Sequence, residues 1–318
     1  MLVIGAGVSG LTTAVCLAEA GLRVAVHTAD HPAQTTSAVA GALWLPYLVE
    51  PADRVAGWGA ATLAELRTLA GDPATGVRLV TGLVASPAVA DPPPWTDEVR
   101  AVPCPSGDLP GGYATGWRFT TPLVTMPAYL SYLTDRLRAA GGLIEPAPVS
   151  SLDTALAAAP VVVNCSGVGA RELVPDPRVR PVRGQVVVVS NPGVEQFFVE
   201  HPGPSSQLLY VLPHETTVVL GGTAEPDQAD RTADPAVTRR IVARCTEVVP
   251  ALASATVLAQ RVGLRPVRDQ VRLEPEDRPG GRIIHNYGHG GGGVTLSWGC
   301  AREVMTLVDP RPRGCAVS

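Results

Sequence analysis

Three glycines near the N-terminus have the spacing at which a chain binds a dinucleotide. Gly5, Gly7 and Gly10 follow a short apolar segment, and apolar residues then recur at helical spacing as far as Gly21. In a strand–turn–helix unit the first glycine permits a tight turn, the second lets the backbone approach a pyrophosphate, and the third lets the helix pack on the sheet. The helix N-terminus then directs free N–H groups at the phosphates. We therefore predict a dinucleotide site, with an ordinary glycine turn as the alternative.

The acidic residue that usually binds a ribose hydroxyl in such sites is less regular here. A second apolar strand over residues 22–26 leads into His27 and Thr28, where an acid is usual. Asp30 lies 20 residues after the third glycine, close to the expected offset, and is therefore the candidate. Residues 34–37 form a hydroxyl-rich loop that can donate hydrogen bonds to a pyrophosphate, and a plain turn is the alternative.

A second group of residues that could take part in chemistry lies near the C-terminus. Ile283 and Ile284 begin an apolar strand, residues 288–293 contain five glycines in six positions, and a helical pattern runs over residues 294–308. A glycine-rich loop can lie flat against a ring system, and the helix after it can stabilise negative charge that develops on that ring. A mobile loop is the alternative, but the strand before it and the regular helix after it argue against that interpretation.

The basic residues restrict the chemistry further, because all 25 are arginine and the sequence contains no lysine. Schiff-base formation and catalysis by a lysine base both need a primary amine, so they are excluded. Arginine stays protonated and can only bind, orient and polarise. His285 and His289 invite a general-base interpretation, but we favour structural roles for both because they flank a cofactor loop. Proton or hydride chemistry must therefore come from other residues or from a cofactor.

The elements that position these residues alternate between helices and strands. We predict helices over residues 51–69, 123–139, 151–158 and 235–251, strands over residues 143–144, 161–167 and 183–219, and irregular chain over residues 85–112. The continuous apolar run that begins at residue 161 is typical of a parallel sheet covered on both faces. The dinucleotide-binding domain is thus discontinuous, with antiparallel strands inserted between its pieces.

The composition predicts a folded protein without a membrane span or a nucleic-acid surface. A chain with 46% hydrophobic and 17% charged residues can bury a large core, and a net charge of −4 without an arginine-rich run disfavours nucleic acid. No apolar run approaches the roughly 20 residues that a span needs. The six cysteines lie far apart without a Cys-x-x-Cys pair. We therefore expect buried thiols at Cys16 and Cys165, no disulfide, no metal site and a cytoplasmic location.

Over nearly its whole length the sequence resembles the D-amino acid oxidase family of flavoproteins. The matching segments are residues 5–10, 41–47, 162–167, 183–185, 263–268 and 283–301. The last segment is centred on His-Asn-Tyr-Gly-His-Gly-Gly at residues 285–291 and is highly specific to that family. The resemblance implies non-covalent FAD and the oxidative deamination of D-amino acids, neutral ones in particular, to imino acids and then to 2-oxo acids and ammonia. It also implies that hydride passes directly to flavin N5 and that O2 is reduced to H2O2.

The element order and the resemblance together predict an α/β fold. A Rossmann-like FAD-binding domain carries an inserted substrate domain that is built on a mainly antiparallel sheet. We assign residues 1–50, 137–182 and 265–318 to the FAD-binding domain, and residues 51–136 and 183–264 to the substrate-binding domain. The expected partners are a small D-amino acid and O2, and a second copy of the chain in a homodimer.

The resemblance also implies roles for individual residues. Arg265 pairs with the substrate carboxylate through its planar fork, and the Tyr210 hydroxyl donates to the same carboxylate. The carbonyl of Gly291 accepts a hydrogen bond from the substrate amine. Ser206 stands where the mammalian members have a second tyrosine, in a lid-like segment over residues 201–207. The residues implied for FAD binding are Gly5, Ala6, Gly7, Val8, Ser9, Gly10, Asp30, Thr35, Thr36, Ser37, Gly41, Ala42, Leu43, Val163, Ser166, Gly290, Gly291, Gly293, Val294 and Thr295.

Three other functions stay open at this point. A glycine or sarcosine oxidase, or a D-aspartate oxidase, would share the fold, and the aspartate enzyme needs a further cation facing the substrate side chain. An NAD-dependent dehydrogenase is favoured by the N-terminal motif alone, but it leaves the C-terminal glycine loop without a purpose. A flavoprotein that only binds its cofactor would make the pairing of Arg265 with Tyr210 accidental.

Overall fold

Short segments rich in valine and leucine pair into one large mixed sheet, and amphipathic segments form the helices that cover it. The computed structural model describes residues 1–46, 49–201 and 207–308. The strands are β1 (Leu2–Ile4), β2 (Ala25–Thr28), β3 (Val77–Ser86), β4 (Val102–Pro103), β5 (Thr115–Val124), β6 (Leu143–Pro146), β7 (Val161–Asn164), β8 (Arg180–Ser190), β9 (Phe197–Glu200), β10 (Gln207–Pro213), β11 (Thr217–Thr223), β12 (Glu225–Pro226), β13 (Val257–Arg278) and β14 (Gly281–His289). The α-helices are α1 (Val8–Glu19), α2 (Thr36–Val39), α3 (Ala52–Leu69), α4 (Met126–Ala139), α5 (Leu152–Ala158), α6 (Ala170–Leu173), α7 (Pro235–Val248) and α8 (Gly293–Val308).

The sheet has a parallel half and a mainly antiparallel half. Its strand order is β4-β5-β3-β9-β10-β11-β8-β13-β14-β7-β1-β2-β6, with β12 beside β8. The five strands from β14 to β6 are parallel, and β1, α1 and β2 form a βαβ unit at their centre. From β13 to β4 the neighbours are antiparallel except for the pair β3 and β9. The predicted fold class, a Rossmann-like half joined to a mainly antiparallel half, is confirmed.

Strand β13 is shared by the two halves of the sheet. Residues 257–267 pair with β8, residues 272–278 pair with β14, and the register of the second pairing shifts between Val267 and Arg272. Arg265 therefore lies where the antiparallel half meets the parallel half. The sequence analysis predicted no strand over this segment.

The N-terminal strand–turn–helix unit is packed too closely for side chains at two of its glycines. Gly5 has a φ of +100°, and a Cβ built there would lie 2.6 Å from the carbonyl oxygen of Cys165. At Gly10 a Cβ would collide with the carbonyl oxygen of Gly5. Because α1 lies this close to the sheet, it is buried from residue 10 to residue 18. The roles predicted for the first and third glycines of the motif agree with this packing.

A second close approach joins α3 to α8. The backbone N–H of Gly299 donates to the Thr62 hydroxyl at 3.0 Å, and Arg302 pairs with Glu65 at 2.6 Å. A Cβ at Gly299 would collide with the backbone of Trp58. The two helices therefore touch backbone to backbone, at a distance that only glycine permits.

Most predicted elements exist, with shifted ends. The helices predicted at 51–69, 151–158 and 294–308 are confirmed, and the helix predicted over 235–251 ends at Val248 and continues as a 3-10 turn, Pro250–Ser254. The second strand begins at Ala25 rather than at residue 22, so His27 and Thr28 lie inside it. The helix predicted from residue 123 begins at Met126, because residues 123–124 complete β5.

The division into two domains stays a proposal. Helix α3 lies in the segment assigned to the substrate-binding domain, yet it packs on α8, which belongs to the FAD-binding segment. Residues 202–206 of the lid-like segment, which include Ser206, lie outside the described residues, as do Tyr47 and Cys315. Cys16 and Cys165 are buried as predicted, and the five cysteines that the structure describes are free thiols. In the described part of the chain, no helix combines the length and the apolarity that crossing a membrane requires.

The contact between α3 and α8 predicts opposite effects for two glycine-to-alanine changes. We expect Gly299→Ala to lower the free energy of unfolding by about 1–3 kcal/mol, because the added methyl group must push the helices apart. Gly57→Ala is the matched control in α3, since its Cβ meets nothing within 4 Å. There the gain in helix propensity should raise the free energy of unfolding by about 0.5–1 kcal/mol. Urea denaturation measures the free energy of unfolding of both variants. If Gly57→Ala lowers it as much as Gly299→Ala does, the packing argument is wrong.

Candidate active site

One large cavity opens between the N-terminal ends of α1 and α8 and the face of the antiparallel strands. We call it the central cavity. Of the residues implied for cofactor and substrate, those that line it are Gly7, Val8, Ser9, Asp30, Thr36, Ser37, Gly41, Ala42, Leu43, Ser166, Tyr210, Arg265, Gly290, Gly291, Gly293, Val294 and Thr295. They come from segments more than 200 residues apart in sequence. The fold therefore brings the N-terminal motif, the C-terminal glycine loop and the two residues implied for substrate binding to one place.

Five implied residues do not line the central cavity. Gly5, Ala6 and Gly10 lie inside the strand–turn–helix unit, where they shape the backbone around Gly7. Val163 is fully buried within β7. The Thr35 hydroxyl donates to the carbonyl oxygen of Pro32 at 2.8 Å, so it is already engaged. Any contribution of these five to cofactor binding is made through the backbone or through packing.

The N-terminus of α1 is held against the hydroxyl-rich segment. The backbone N–H of Val8 donates to the Ser37 hydroxyl oxygen at 3.0 Å, and a Cβ at Gly7 would lie 3.1 Å from the same oxygen. The Thr36 hydroxyl donates to the carbonyl oxygen of Leu264 at 3.2 Å, which ties this segment to β13. Asp30 is exposed at the end of β2, on the rim of the cavity. The first turn of α1, two hydroxyls and an acid thus lie along one wall.

The C-terminal glycine loop is fixed on both sides. The N–H of Gly290 donates to the carbonyl oxygen of Pro266 at 2.9 Å, and the N–H of Gly292 donates to that of His289 at 2.9 Å. At the start of α8 the Thr295 hydroxyl donates to the carbonyl oxygen of Leu45 at 3.1 Å. The loop is therefore anchored to β13 and to the segment after α2, and the 16-residue α8 begins at the cavity. Its N-terminus brings positive potential there.

The side chains of Arg265 and Tyr210 both lie across glycines of neighbouring strands. Nη1 of Arg265 donates to the carbonyl oxygen of Thr223 at 2.9 Å, and its guanidinium group covers Gly184 so closely that a Cβ there would collide with it. The Tyr210 ring covers Gly221 in the same way. Glycine at these two positions is what lets the guanidinium group and the phenol ring lie flat on the sheet at the end of the cavity.

The two histidines of the C-terminal motif are buried and bonded. Nε2 of His289 lies 3.0 Å from Oδ1 of Asn286, and Nε2 of His285 lies 2.9 Å from Oε2 of Glu276. Burial lowers the pKa of His289 to about 4 and also lowers that of His285, although Glu276 opposes the second shift. Both rings are therefore neutral near pH 7, and their hydrogen bonds support the structural roles favoured above.

Tyr287 and Trp298 are held by packing and by buried hydrogen bonds. Trp298 donates to the Tyr129 hydroxyl at 2.8 Å, and the Tyr287 hydroxyl donates to Asp176 at 2.9 Å. Arg268 pairs with the same carboxylate at 2.9 Å, and both partners are about 95% buried. Burial opposes ionisation of Asp176, but the bonds from Tyr287 and Arg268 outweigh it and lower its pKa. Sequence analysis did not find Asp176, because nothing in its local sequence marks it.

Two charged residues that the sequence analysis did not place also line the cavity. Glu200 accepts a hydrogen bond from the Tyr113 hydroxyl at 2.9 Å, and Arg244 lies 3.6 Å from it. Arg231 lines the same cavity as Arg265, and within the described ranges no acid pairs with it. The sequence analysis noted that a D-aspartate oxidase needs a further cation facing the substrate side chain, but it could not say which of the 25 arginines lies there.

The residues of the central cavity fit a dinucleotide that carries a ring system. Two helix N-termini meet at the cavity, and the missing Cβ of Gly7 leaves the α1 backbone open to a pyrophosphate. Asp30 is placed on the rim for a ribose hydroxyl, and the anchored glycine loop presents backbone without side chains to a flat ring. No cluster of three or more potential metal ligands occurs in the part of the chain that the structure describes. Fold and site together define a dinucleotide-binding protein of the α/β class.

Comparison with known proteins gives the family. The family model described as FAD dependent oxidoreductase matches residues 1–307. The D-amino-acid oxidase of Rubrobacter xylanophilus is 50% identical over 308 residues, which are 96% of this chain and 94% of that protein. The D-amino-acid oxidase of Streptomyces coelicolor is 47% identical, covering 97% of this chain and 96% of that protein. The chain belongs to the family of FAD-dependent oxidoreductases, and FAD is its cofactor.

More distant relatives agree on the fold. The human D-aspartate oxidase is 36% identical over 326 residues, covering 96% of this chain and 94% of that protein. Among solved structures, the glycine oxidase from Geobacillus kaustophilus superposes with a TM-score of 0.80 at 20% identity, covering 98% of this chain and 95% of that one. The L-proline dehydrogenase from P. horikoshii gives 0.76 at 13% identity, covering 97% and 92%. At such identities the two structures bear on the fold alone.

Proposed function

We propose that this protein is a D-amino-acid oxidase, which converts D-amino acids, chiefly neutral ones, to imino acids with FAD as cofactor and O2 as the final acceptor. The observation that carries the proposal is that Arg265 and Tyr210 line the same cavity as the glycine loop at the start of α8. The relatives named D-amino-acid oxidase, at 50% and 47% identity over nearly full length, support it. The imino acid then hydrolyses to a 2-oxo acid and ammonia.

The proposed role of Arg265 is to bind the substrate carboxylate. One of its five N–H groups is used on the carbonyl oxygen of Thr223, which fixes the plane of the guanidinium group and leaves the others for a ligand. A planar fork of this kind binds a carboxylate through two parallel bonds. The Tyr210 hydroxyl adds a further donor, and the carbonyl oxygen of Gly291 accepts from the substrate amine. Three fixed groups then hold the amino acid in one orientation.

This orientation makes a protein base unnecessary. The flavin supplies the hydride acceptor when it is bound. The chain itself contributes geometry, because a substrate held at its carboxylate and its amine presents its Cα–H in a single direction. His285 and His289 are neutral and engaged with Glu276 and Asn286, so neither is poised to remove a proton. The N-terminus of α8 stabilises negative charge at the cavity.

The proposed FAD contacts follow the walls of the cavity. We assign the pyrophosphate to the N-terminus of α1 with the Ser37 hydroxyl and the backbone of Thr36, because the Thr36 hydroxyl already donates to Leu264. A ribose hydroxyl is assigned to Asp30, and the ring system to the glycine loop. The residues assigned to FAD in the sequence analysis remain the proposed set, with Gly5, Ala6, Gly10, Thr35 and Val163 acting through backbone or packing. We also propose a cytoplasmic location, which suits the free thiols, and a homodimer, which size-exclusion chromatography tests.

The visible spectrum of the purified protein tests the function directly. We expect flavin bands that bleach on anaerobic addition of D-alanine and that persist after L-alanine, because only one enantiomer directs its Cα–H at the acceptor when the carboxylate and amine are fixed. Readmission of air should restore the bands with formation of H2O2. Flavin bands that no D-amino acid bleaches would indicate a flavoprotein that only binds its cofactor. Bleaching by glycine or sarcosine alone would indicate a glycine or sarcosine oxidase. A protein without flavin bands would favour the dehydrogenase.

Two arginines of β13 give a matched pair of variants. We expect Arg265→Ala to keep the flavin absorbance while kcat/KM for D-alanine falls by a factor equivalent to roughly 3–5 kcal/mol, since the carboxylate loses its charged partner. Arg261→Ala is the control, because Arg261 lies four residues earlier on the same strand and does not line the cavity. Steady-state kinetics of both variants check the assignment. Near-normal turnover by Arg265→Ala rules it out.

A second candidate function, oxidation of acidic D-amino acids, is favoured by Arg231. Arg183 is buried beneath the loop that carries Arg231 and donates to the carbonyl oxygens on either side of it, at 2.9 Å to Asp230 and 2.5 Å to Thr232. The backbone at Arg231 is therefore fixed, and this exposed residue lines the cavity. The charge of Glu200, which lines the same cavity, is balanced by Arg244. Arg231 is thus the cation available to a substrate side chain.

Isosteric substrates separate the two candidates. We expect Arg231→Gln to lower kcat/KM for D-aspartate by about five-fold, the weight of a partly exposed charge contact, and to leave kcat/KM for D-asparagine unchanged. Arg231→Lys keeps the charge and should retain most of the activity on D-aspartate. Steady-state kinetics give the ratio of kcat/KM for D-aspartate to kcat/KM for D-asparagine in each protein. If this ratio is the same in the native protein and in Arg231→Gln, Arg231 does not take part in substrate recognition.

A further inference from the structure

A chain of buried polar side chains starts at the central cavity and leads away from it. Asn164, the last residue of β7, and His285, in the middle of β14, form the last residue pair between these parallel strands, and both are fully buried. The hydroxyl of Ser166, which lines the cavity, donates to Oδ1 of Asn164 at 2.7 Å, and the backbone N–H of Ser166 reaches the same oxygen at 3.2 Å. Nδ2 of Asn164 lies 3.4 Å from Nδ1 of His285.

This series of hydrogen-bonded side chains ends on the carboxylate of Glu276, near the surface. Nε2 of His285 lies 2.9 Å from Oε2 of Glu276, whose side chain is about one third exposed. Glu276 is itself held by Arg278 at 2.5 Å and by Arg272 at 3.4 Å. Four side chains, Ser166, Asn164, His285 and Glu276, therefore connect the cavity wall to a fixed negative charge. We call them the Ser166–Glu276 chain.

The geometry assigns a direction to every bond in the Ser166–Glu276 chain. The two donors of Ser166 identify the amide oxygen of Asn164, so its NH2 group faces His285. Nδ1 of His285 must then accept, and Nε2 carries the hydrogen that is donated to Glu276. Each group therefore donates away from the cavity. Because its only hydrogen is committed to Asn164, the Ser166 oxygen can act towards the cavity only as an acceptor.

We propose that Glu276 is a positioning residue for the FAD, which it reaches through His285 and Asn164 by holding the Ser166 hydroxyl as an acceptor for a donor group of the cofactor, a hydroxyl or an N–H. The inference rests on the proposed contact between Ser166 and FAD. Polarisation along the chain strengthens each bond when the last acceptor is charged. Burial also requires every link to be satisfied, so the loss of one end disturbs the other.

A double-mutant cycle on FAD affinity tests the proposal without reference to turnover. FAD is titrated into the apoprotein, and quenching of flavin fluorescence gives Kd for the native protein, Ser166→Ala, Glu276→Ala and the double variant. We expect Ser166→Ala to raise Kd by about 3- to 10-fold, the weight of one hydrogen bond. Glu276→Ala should raise it by about 2- to 5-fold alone and by nothing further when Ser166 is already alanine, since the effect passes through Ser166.

Glu274→Ala is the matched control, because Glu274 is another acid on β13, bonds Arg272 at 2.7 Å and is absent from the Ser166–Glu276 chain. Its Kd should equal that of the native protein. The proposal is overturned if Glu276→Ala leaves Kd unchanged. It is also overturned if Glu276→Ala raises Kd by the same factor in the native protein and in the Ser166→Ala variant. An unchanged Kd in Ser166→Ala also overturns it, while the bleaching by D-alanine would still stand for the function.

A second measurement needs no variant. The 15N chemical shifts of the His285 ring in the native holoenzyme report its tautomer at pH 7, and we expect hydrogen on Nε2 with Nδ1 bare. Hydrogen on Nδ1, or on both nitrogens, would reverse the bond to Asn164 and overturn the proposal. Because this readout concerns the direction of the hydrogen bonds, a residue that served only to fill space would not determine it.

Discussion

The pairing of β13 with two different neighbours is the constraint on which the cavity depends. Residues 257–267 follow β8, and residues 272–278 follow β14, so the strand passes from the antiparallel half of the sheet into the parallel half. At this crossing the Arg265 side chain turns onto β8, and the carbonyl oxygen of Pro266 receives the N–H of Gly290. The orientation of Arg265 relative to the glycine loop is therefore a consequence of backbone hydrogen bonds, which are the least adjustable contacts in the fold.

The polar side chains behind the central cavity are either neutral or paired with an opposite charge. His285 and His289 are neutral because burial lowers their pKa, while the carboxylates of Asp176 and Glu276 are each paired with arginine. Leaving a buried carboxylate unpaired would cost several kcal/mol. The pairing allows the parallel half of the sheet to carry polar residues at its carboxyl edge, which is where ligands of this fold class bind.

The sequence was sufficient for the elements whose signal is local. The glycine spacing at residues 5–10 and the apolar helix after it predicted β1, the turn and α1, and the glycine run predicted the loop before α8. For β13 the same approach failed, for a reason visible in its apolar residues. The buried residue before Val267 is Leu264, at an even position, whereas the buried residues Val271 and Leu273 occupy odd positions, because the register with β14 shifts between Val267 and Arg272. A strand that changes face has no single period of two.

The residues of the candidate site also divide into those with a local sequence signal and those without one. Arg265 and Tyr210 were identified from a resemblance in short segments, since each lies within a recognisable run of residues. Arg231, Asp176 and Glu276 carry no local mark, and their importance comes from partners far away in sequence. Asp176 meets Arg268 and Tyr287 across about a hundred residues, and Glu276 is connected to the cavity only through His285, Asn164 and Ser166. Contacts of this kind depend on how strands are ordered in the sheet, which hydrophobic periodicity does not encode.

At two positions, Arg183 and Arg265, the geometry explains why arginine is present rather than lysine. Arg183 donates to Asp230, Thr232, Glu225 and Gln185 at once, and Arg265 holds a carbonyl oxygen while presenting the rest of its fork to the cavity. A lysine ammonium has three donors on a flexible stem and no fixed plane, so it could not hold a backbone carbonyl oxygen and present a planar fork to the cavity from the same position. At these two positions arginine is required by the number and direction of its donors. At the exposed positions, where a single ion pair is all that is made, nothing in the structure distinguishes arginine from lysine.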